Sequence, residues 1–297
     1  MTDTLSDWLR LREPADFAAR SEALTRAVVE TAPAGEPIRV LDLGTGTGSN
    51  IRYVCERLRR KQQWLAVDRS AALLAELPER LASWGVARGC ETWIEPGRCV
   101  LLGPQFECDV ETRQQDLGIL DDREMFSGRH LVTASALLDL VSESWLRALA
   151  AHCHAEGATA LFAITYNGQF TCTPEEPLDN TVRDLMNRHQ KRDKGLGGPA
   201  QGPEAAACAE QCFEDLGYRV RRESSNWRLG PAEGDVMRLL IDGWAQAATE
   251  IAPEQATAIA RWRTRRLEHV AAGNSRVVVG HDDFAAWPPE QRLMKAV

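Results

Sequence analysis

The chain has 297 residues, of which 44% are hydrophobic and 26% charged, which suffices for one substantial α/β domain with insertions. Its formal net charge of −8 argues against non-specific nucleic-acid binding, because such binding needs lysine and arginine to neutralise phosphates. Met1–Trp8 lack the basic and apolar regions of a signal peptide, and no apolar stretch is long enough to span a bilayer. We therefore expect a cytoplasmic protein without nucleic-acid or membrane partners.

The N-terminal segment Leu5–Thr31 has a helical pattern that is interrupted near Pro14, a residue that can begin a second helix. Arg12, Asp16 and Arg20 recur at intervals of four and therefore share one face of a helix. This face has two interpretations. It is either a salt-bridge ladder at the surface or the underside of a helix that lies over a binding cleft.

The most informative segment is Val40–Gly48, in which a short apolar run containing Asp42 leads into a loop with glycines at 44, 46 and 48. The following segment, Ser49–Arg60, can form a helix. This order predicts a buried strand, a tight turn and a helix N-terminus, the arrangement that holds nucleotide-like ligands in α/β folds. Glycine suits the turn because a Cβ would block the close approach of backbone to ligand and would disfavour positive φ.

The spacing of these glycines distinguishes between nucleotide ligands. A dinucleotide fingerprint requires G-x-G-x-x-G/A, whereas this loop reads D-x-G-x-G-x-G, with Ser49 at the third small position. The pattern resembles the first motif of class I S-adenosylmethionine-dependent methyltransferases. In that family the acidic residue, here Asp42, supports the loop and the cationic methionine end of the cofactor. The resemblance implies S-adenosylmethionine as the cofactor, with this part of its site formed by Asp42, Gly44, Thr45, Gly46, Gly48 and Asn50.

The resemblance continues through the next two predicted strands. Trp64–Asp68 is an apolar run that ends in an acid, and the family uses that acid to bind the ribose hydroxyls. Val110–Gln114 is the third strand, and an acid just after it receives the adenine amino group in these enzymes. Asp116 inherits this role, although an aspartate there could equally cap a helix. The residues expected around the adenosine are Asp68, Arg69, Gln115, Asp116 and Leu117.

The remaining elements complete an α/β pattern. Glu91–Ile94 and Cys99–Leu102 flank a turn at Glu95–Arg98 and predict a hairpin at the edge of the sheet. Further strands are predicted at Arg129–Ala134, Thr159–Tyr166, Tyr218–Glu223 and Arg276–His281, with helices near 204–216, 235–251 and 253–272. We expect a Rossmann-like sheet of seven mostly parallel strands with the last strand antiparallel, and helices on both faces.

One domain accounts for residues 1–297, divided into a helical segment (1–35), a cofactor-binding core (36–166), a lid (167–203) and the rest of the sheet with inserted helices (204–297). The lid is predicted because residues 167–203 look irregular and end in a glycine-rich stretch. Just before these glycines the basic residues cluster, and arginines there suit a carboxylate or phosphate. This cluster contains Arg183, Arg188, His189, Arg192 and Lys194.

Methyl transfer is an in-line displacement, so the chain must align the acceptor, exclude water and remove a proton where the nucleophile carries one. Ser135, just after the fourth strand, is expected beside the cofactor. Asp139 could act as a base or could stabilise a helix start, and Tyr166 could contact the acceptor or pack in the core. His189 is the preferred general base because histidine titrates near neutrality. Asn226 and Trp227 offer a further wall.

The eight cysteines raise the alternative of a zinc site, assembled from Cys153, Cys208 and Cys212 with His152 and His154. No C-x-x-C spacing occurs, so we expect reduced thiols and no metal.

The resemblance identifies the cofactor better than the substrate. The expected function is methyl transfer to an oxygen or nitrogen of a small polar metabolite, anionic ones included. An RNA or protein methyltransferase and an S-adenosylmethionine-binding protein without transfer activity remain as alternatives. A nicotinamide-dependent oxidoreductase is disfavoured by the glycine spacing.

Overall fold

The computed structural model describes residues 5–32 and 37–288, and within these residues ten strands form one sheet. In chain order they are β1 (Ile38–Leu43), β2 (Lys61–Asp68), β3 (Glu91–Glu95), β4 (Arg98–Leu102), β5 (Glu107–Gln114), β6 (Leu131–Ser135), β7 (Thr159–Thr173), β8 (Arg219–Ser224), β9 (Trp227–Leu229) and β10 (Arg276–Trp287). Across the sheet the order is β3-β4-β5-β2-β1-β6-β7-β10-β8, and β9 pairs with β10.

The helices cover both faces of this sheet. They are α1 (Leu5–Ala19), α2 (Glu22–Glu30), α3 (Ser49–Leu58), α4 (Ala71–Val86), α5 (Glu143–Glu156), α6 (Asp179–Gln190), α7 (Ala205–Glu214), α8 (Gly234–Ile251) and α9 (Ala256–Ala271). Successive residues of β1 point to opposite faces, so that Leu41 and Leu43 join one apolar cluster and Val40 joins another. This two-sided burial explains why β1 reads as a continuous apolar run. Among the described residues no helix combines the length and apolar content needed to cross a membrane.

The expected fold class is confirmed. The strands β5, β2, β1, β6 and β7 pair in parallel, whereas β10 runs antiparallel to β7 and to β8. The predicted hairpin is also present as β3 and β4, and β4 extends the sheet antiparallel to β5.

The predicted break at Pro14 is wrong, because α1 continues through this residue to Ala19. The helical region divides instead at Ser21, whose side chain accepts the Leu24 N–H at 3.0 Å and caps α2. A proline inside a helix removes one backbone hydrogen bond, so the packing of α1 on the rest of the molecule must offset that loss. The predicted boundary at residue 35 lies outside the described residues.

The expectation of an irregular segment over 167–203 is wrong for most of its length. β7 continues to Thr173 because it pairs with β10 as far as Arg276, and its side chains alternate, with Phe170 and Cys172 buried. α6 then occupies Asp179–Gln190. The stretches without helix or strand are therefore limited to 174–178 and 191–201, and the second is followed by a short 3-10 turn at Gly202–Glu204.

Candidate active site

A cavity of about 220 Å³ lies where β1, β2 and β6 end, beneath α1. Such crevices at the carboxyl ends of parallel strands are the usual ligand sites of open α/β sheets. Of the predicted cofactor residues, those that line the cavity are Gly44, Thr45, Gly46, Asn50, Asp68, Arg69, Leu117 and Ser135. Other lining residues come from α1 and from the loop after β6.

The glycine loop after β1 adopts the backbone geometry that its sequence predicts. Gly44, Gly46 and Gly48 have φ values of +64°, +55° and +81°, which side-chain-bearing residues adopt rarely. A Cβ on Gly46 would lie 3.0 Å from Leu9 Cδ1, and one on Gly48 would lie 3.1 Å from Leu77 Cγ. The three positions therefore require glycine both for conformation and for space.

Asp68, at the end of β2, is held by two backbone donors. Its Oδ2 accepts the Gly46 N–H at 2.8 Å, and its Oδ1 accepts the Ser70 N–H at 2.8 Å. Each carboxylate oxygen keeps a further lone pair, and the residue lines the cavity. This geometry suits the predicted ribose-binding role and also fixes the loop against β2.

Asp42 lies under the loop rather than in the cavity lining. Asn50 donates from Nδ2 to Asp42 Oδ1 at 2.6 Å and to Thr133 Oγ1 at 3.0 Å. Burial raises the pKa of Asp42 to about 6, opposed by the Asn50 hydrogen bond and the charge of Arg20. Arg20 Nη1 in turn donates to Asn50 Oδ1 at 2.5 Å. Asp42 is thus hydrogen-bonded to the first turn of α3 beneath the loop, and its predicted role toward the cofactor stays a prediction.

Helix α1 forms the roof of the cavity. Leu5, Leu9, Arg12 and Asp16 line it, at the spacing of one helix face. Arg52 of α3 binds Glu13 through Nε at 2.7 Å and Nη2 at 2.6 Å, and its Nη1 donates to the Thr47 carbonyl at 2.8 Å. Arg12 and Asp16 therefore lie on the cavity-facing side of α1 and also pair at 2.9 Å, as both interpretations of this face expected in part. Arg20, predicted on the same helix face, lies after the end of α1 and outside the lining.

Next to β2 and the end of β5, Leu117 and Leu73 give the cavity apolar walls. Gln115 and Asp116 lie just outside the lining, and Asp116 Oδ1 accepts the Gly118 N–H at 2.9 Å while its side chain remains exposed. The adenine roles of Gln115 and Asp116 stay predictions.

The opposite end of the cavity is bounded by the turn after β6. Ala136 lines it with a φ of +53°, and Ile164 on the neighbouring strand β7 has a φ of +54°. Positive φ at a residue with a side chain is strained, and such strain tends to cluster at functional sites. Here the Ile164 N–H is held by Asp283 Oδ1 at 2.9 Å.

Asp139 lies in the short 3-10 helix Leu138–Leu140 of this turn. Leu137 and Leu140 line the cavity, whereas Asp139 lies beside the lining and is not part of it. The side chain is buried. Burial raises its pKa to about 6, opposed by backbone N–H groups and by the charges of Arg12 and Lys194. The raised pKa makes Asp139 more basic than an exposed aspartate.

Three solved structures are similar to this chain over most of its length, at low sequence identity. The cyclopropane synthase MmaA2 from Mycobacterium tuberculosis is 12% identical, with 96% of this chain and 94% of that chain covered and a TM-score of 0.48. The mycolic acid cyclopropane synthase CmaA1, complexed with SAH and CTAB, is 13% identical over 96% and 95%, with a TM-score of 0.48. A phosphoethanolamine N-methyltransferase from Haemonchus contortus is 14% identical over 97% and 59%, with a TM-score of 0.42.

At these identities the similarity concerns the fold alone. Comparison with protein-family models gives no match, and neither does comparison with curated protein sequences.

Two predicted catalytic residues need correction. His189 does not line the cavity: its Nε2 lies 3.0 Å from Glu250 Oε2 on α8, and burial together with Lys194 lowers its pKa. Tyr166 is buried in the core and donates its hydroxyl to Asn187 Oδ1 at 2.9 Å, outside the lining. Both side chains are engaged elsewhere because the presumed lid is a packed helix.

None of the five basic residues predicted to clamp an anion lines the cavity. Four of them contact protein groups, whereas Arg188 is exposed and has no hydrogen bond or ion pair among the described residues. Arg192 contacts Glu250 at 3.3 Å, Lys191 binds Glu204 at 2.8 Å, and Arg183 donates to the Phe170 carbonyl at 3.4 Å. The prediction of an anion clamp on this segment is therefore corrected. Within the described part of the chain, no group of three or more His, Cys, Asp or Glu side chains could hold a metal ion.

Sequence reasoning missed a buried polar cluster between α1 and β10. Trp227 Nε1 donates to Asp16 Oδ1 at 3.0 Å, and the Trp227 ring lies 4.8 Å from the His281 ring. Burial lowers the pKa of His281 to about 3, and the charge of Arg12 adds to the shift. The four-residue spacing of Arg12 and Asp16 was the available signal. Nothing in the sequence placed His281 opposite them.

Proposed function

We propose that this chain is an S-adenosylmethionine-dependent methyltransferase that acts on an oxygen or nitrogen of a small polar metabolite. One observation carries the proposal. The Asp68 carboxylate is fixed by two backbone N–H groups, beside three glycines whose backbone conformation is left-handed. That arrangement offers hydrogen-bond acceptors to a ribose diol and open backbone to the group attached to it.

The rest of the lining suits adenosine joined to an amino acid. Leu73 and Leu117 offer apolar surface to a purine ring. Gly44 and Gly46 line the cavity without a Cβ, next to the apolar side chains of Leu137 and Leu9. Asp42 places a buried negative charge beneath this loop, which favours a cationic amino-acid end.

Bound S-adenosylmethionine would supply an electrophilic methyl group. The residues of the chain then align the acceptor, exclude water and take up a proton. Helix α1 covers the cavity and excludes water. Asp139 is the proposed proton acceptor, since the turn that carries it bounds the cavity at the ends of β6 and β7.

The covered cavity favours a small acceptor over RNA or protein. α1 is attached to α3 and its preceding loop through Glu13, Arg52 and Thr47, so a macromolecular side chain or base would have to displace it. A binding protein without transfer activity would share the cofactor features. The strained Ala136 and the buried acid Asp139 at the acceptor end favour a catalytic site.

Two measurements test the proposal. Isothermal titration calorimetry should show binding of S-adenosylmethionine and S-adenosylhomocysteine but not of NAD. Incubation with S-adenosylmethionine and pooled small metabolites should then release S-adenosylhomocysteine. Tight NAD binding without S-adenosylmethionine binding would overturn the cofactor assignment. Cofactor binding without product from metabolites, but with product from tRNA or protein substrates, would overturn the substrate class.

A further inference from the structure

Arg12 lines the cavity with a guanidinium group whose N–H donors are only partly hydrogen-bonded. Its Nε donates to Asp16 Oδ2 at 2.9 Å, and its side chain is 14% exposed. Within the described residues, neither Nη1 nor Nη2 has a hydrogen-bond partner in the protein. Two parallel N–H donors of this kind match a carboxylate bidentately.

Asp16 and Trp227 fix the orientation of this guanidinium group. Asp16 accepts the Trp227 indole N–H through Oδ1 and Arg12 through Oδ2, so both its oxygens have partners. The guanidinium carbon of Arg12 also lies 5.5 Å from the centre of the Trp227 ring. Such support reduces the entropy that the arginine loses when it binds an anion.

Arg12 lies at the acceptor end of the cavity. Its support, Trp227, belongs to β9, which pairs with β10, and β10 is separated from β1 by β6 and β7. Strands are about 4.8 Å apart, so Trp227 lies several strand positions away from β2, which carries Asp68. The same end holds Asp139, whose pKa responds to the Arg12 charge.

The charges around Arg12 favour a monoanion. Asp16 and Asp139 both lie close to the guanidinium, and Lys194 is the other cation that faces Asp139. A phosphate monoester carries nearly two negative charges at neutral pH and would be repelled more strongly by these two acids. A carboxylate carries one negative charge and matches the two free donors.

We propose that Arg12 is the specificity-determining residue for the acceptor and binds a carboxylate of that acceptor through Nη1 and Nη2. This inference rests on the proposed methyl-transfer function, which identifies the bound carboxylate as part of the acceptor. Carboxylate binding itself is measurable without turnover. It assigns to α1 the anion recognition that the sequence suggested for residues 183–194.

The test uses the Trp227 indole N–H as a reporter, because this group bonds to Asp16 and so senses the Arg12–Asp16 pair. Nuclear magnetic resonance of protein labelled with 15N-tryptophan, assigned with Trp227→Phe, is recorded with and without S-adenosylhomocysteine. Acetate, glycine and benzoate are titrated as carboxylates, benzamide as the neutral match and phenyl phosphate as the dianion. We expect saturable shifts of the Trp227 signal with a carboxylate at about millimolar affinity.

Arg12→Gln should weaken carboxylate binding by about tenfold to a hundredfold, the range of a charge-assisted pair. Arg12→Lys keeps the charge without the paired donors and should fall between Arg12→Gln and the native protein. Arg10→Gln is the matched control, since Arg10 lies on the same helix, is exposed and pairs with Asp7. It should bind carboxylates as the native protein does.

Three outcomes overturn the proposal: no saturable shift with any carboxylate up to about 100 mM, equal binding of benzamide, or equal carboxylate binding by Arg12→Gln. Tighter binding of phenyl phosphate than of benzoate overturns the choice of a monoanion. Affinity for S-adenosylhomocysteine is measured on the same samples. Failure of the native protein to bind it would count against the proposed function. Weaker binding of it by Arg12→Gln would instead assign Arg12 to the carboxylate of the cofactor and overturn the acceptor assignment, so the titrations in the presence of S-adenosylhomocysteine decide the role of Arg12.

Discussion

Arg20 and Asn50 connect the region just after α1, which covers the cavity, to Asp42 on β1. The Arg20 Nη1 donates to Asn50 Oδ1 at 2.5 Å, and Asn50 Nδ2 donates to the buried Asp42. One amide thus satisfies a buried cation just after α1 and a buried acid at the end of β1. Arg20 Nε and Nη2 are buried without hydrogen-bond partners, so this guanidinium depends heavily on Asn50.

Asn50→Ala should therefore destabilise the fold by about 2–4 kcal/mol, because it leaves a buried cation and a buried carboxylate without a shared partner. Urea denaturation followed by circular dichroism measures the change. Asn274→Ala, in the exposed turn after α9, is the control and should change the unfolding free energy by less than about 0.5 kcal/mol. Equal stability of the two variants would show that the amide does not link the buried charges.

Asp68→Ala should weaken S-adenosylhomocysteine binding by about 1.5–3 kcal/mol, the scale of hydrogen bonds to a charged group. The loss has two sources, the ribose contacts and the anchoring of Gly46 and Ser70. Calorimetry measures it, and Asp235→Ala on the exposed surface of α8 should retain the native dissociation constant. An unchanged affinity in Asp68→Ala would remove this residue from the ribose site.

The motif residues could be predicted from sequence because their roles depend on local chain geometry. Glycines at 44, 46 and 48 and the acid at 68 follow directly from strand ends and a tight turn. The catalytic residues depended on distant packing instead. His189 is the preferred base because histidine titrates near neutrality and because an irregular lid is predicted over 167–203, where the structure has α6. The alternation of Phe170 and Cys172 indicates a strand, but its pairing with β10 involves residues about a hundred positions away.

Asp139→Asn should lower turnover by about 10²–10⁴, the usual contribution of general acid–base catalysis, with cofactor affinity nearly unchanged. In the native enzyme, kcat/KM should fall as the pH drops below about 6, because the base is then protonated. The rate of S-adenosylhomocysteine release against pH measures both effects. The alternative base serves as the control: His189→Ala should retain near-native turnover, since its imidazole contacts Glu250 outside the cavity.

A drop in turnover for His189→Ala of the size expected for Asp139→Asn would reverse these assignments. The native stability provides a second check. The raised pKa of Asp139 means that its ionisation destabilises the folded state above about pH 6, and this penalty disappears as the pH falls towards 3.8. Asp139→Asn should therefore be more stable than the native protein at pH 7, by about 1–3 kcal/mol, and the difference should shrink in acid.

His281 should make the fold sensitive to acid. Burial lowers its pKa from 6.5 to about 3, so the unfolded chain takes up a proton that the folded chain excludes. A depressed pKa of this kind contributes stability above pH 6.5 that is lost as the pH falls towards 3. His281→Phe keeps a planar ring against Trp227 but cannot be protonated. Relative to the native protein, its unfolding free energy should improve between pH 7 and pH 4 by about 2–3 kcal/mol.

Comparing variant with native protein at each pH cancels the opposite contributions of Asp42 and Asp139, whose raised pKa values favour the folded state in acid. Urea denaturation at pH 7, 5.5 and 4 measures the difference. His154→Phe, at an exposed position of α5, is the matched control and should give a difference that varies little with pH. If the difference in unfolding free energy between His281→Phe and the native protein also does not vary with pH, His281 takes up its proton in the folded state. Arg12 would then face a second cation at the acceptor end.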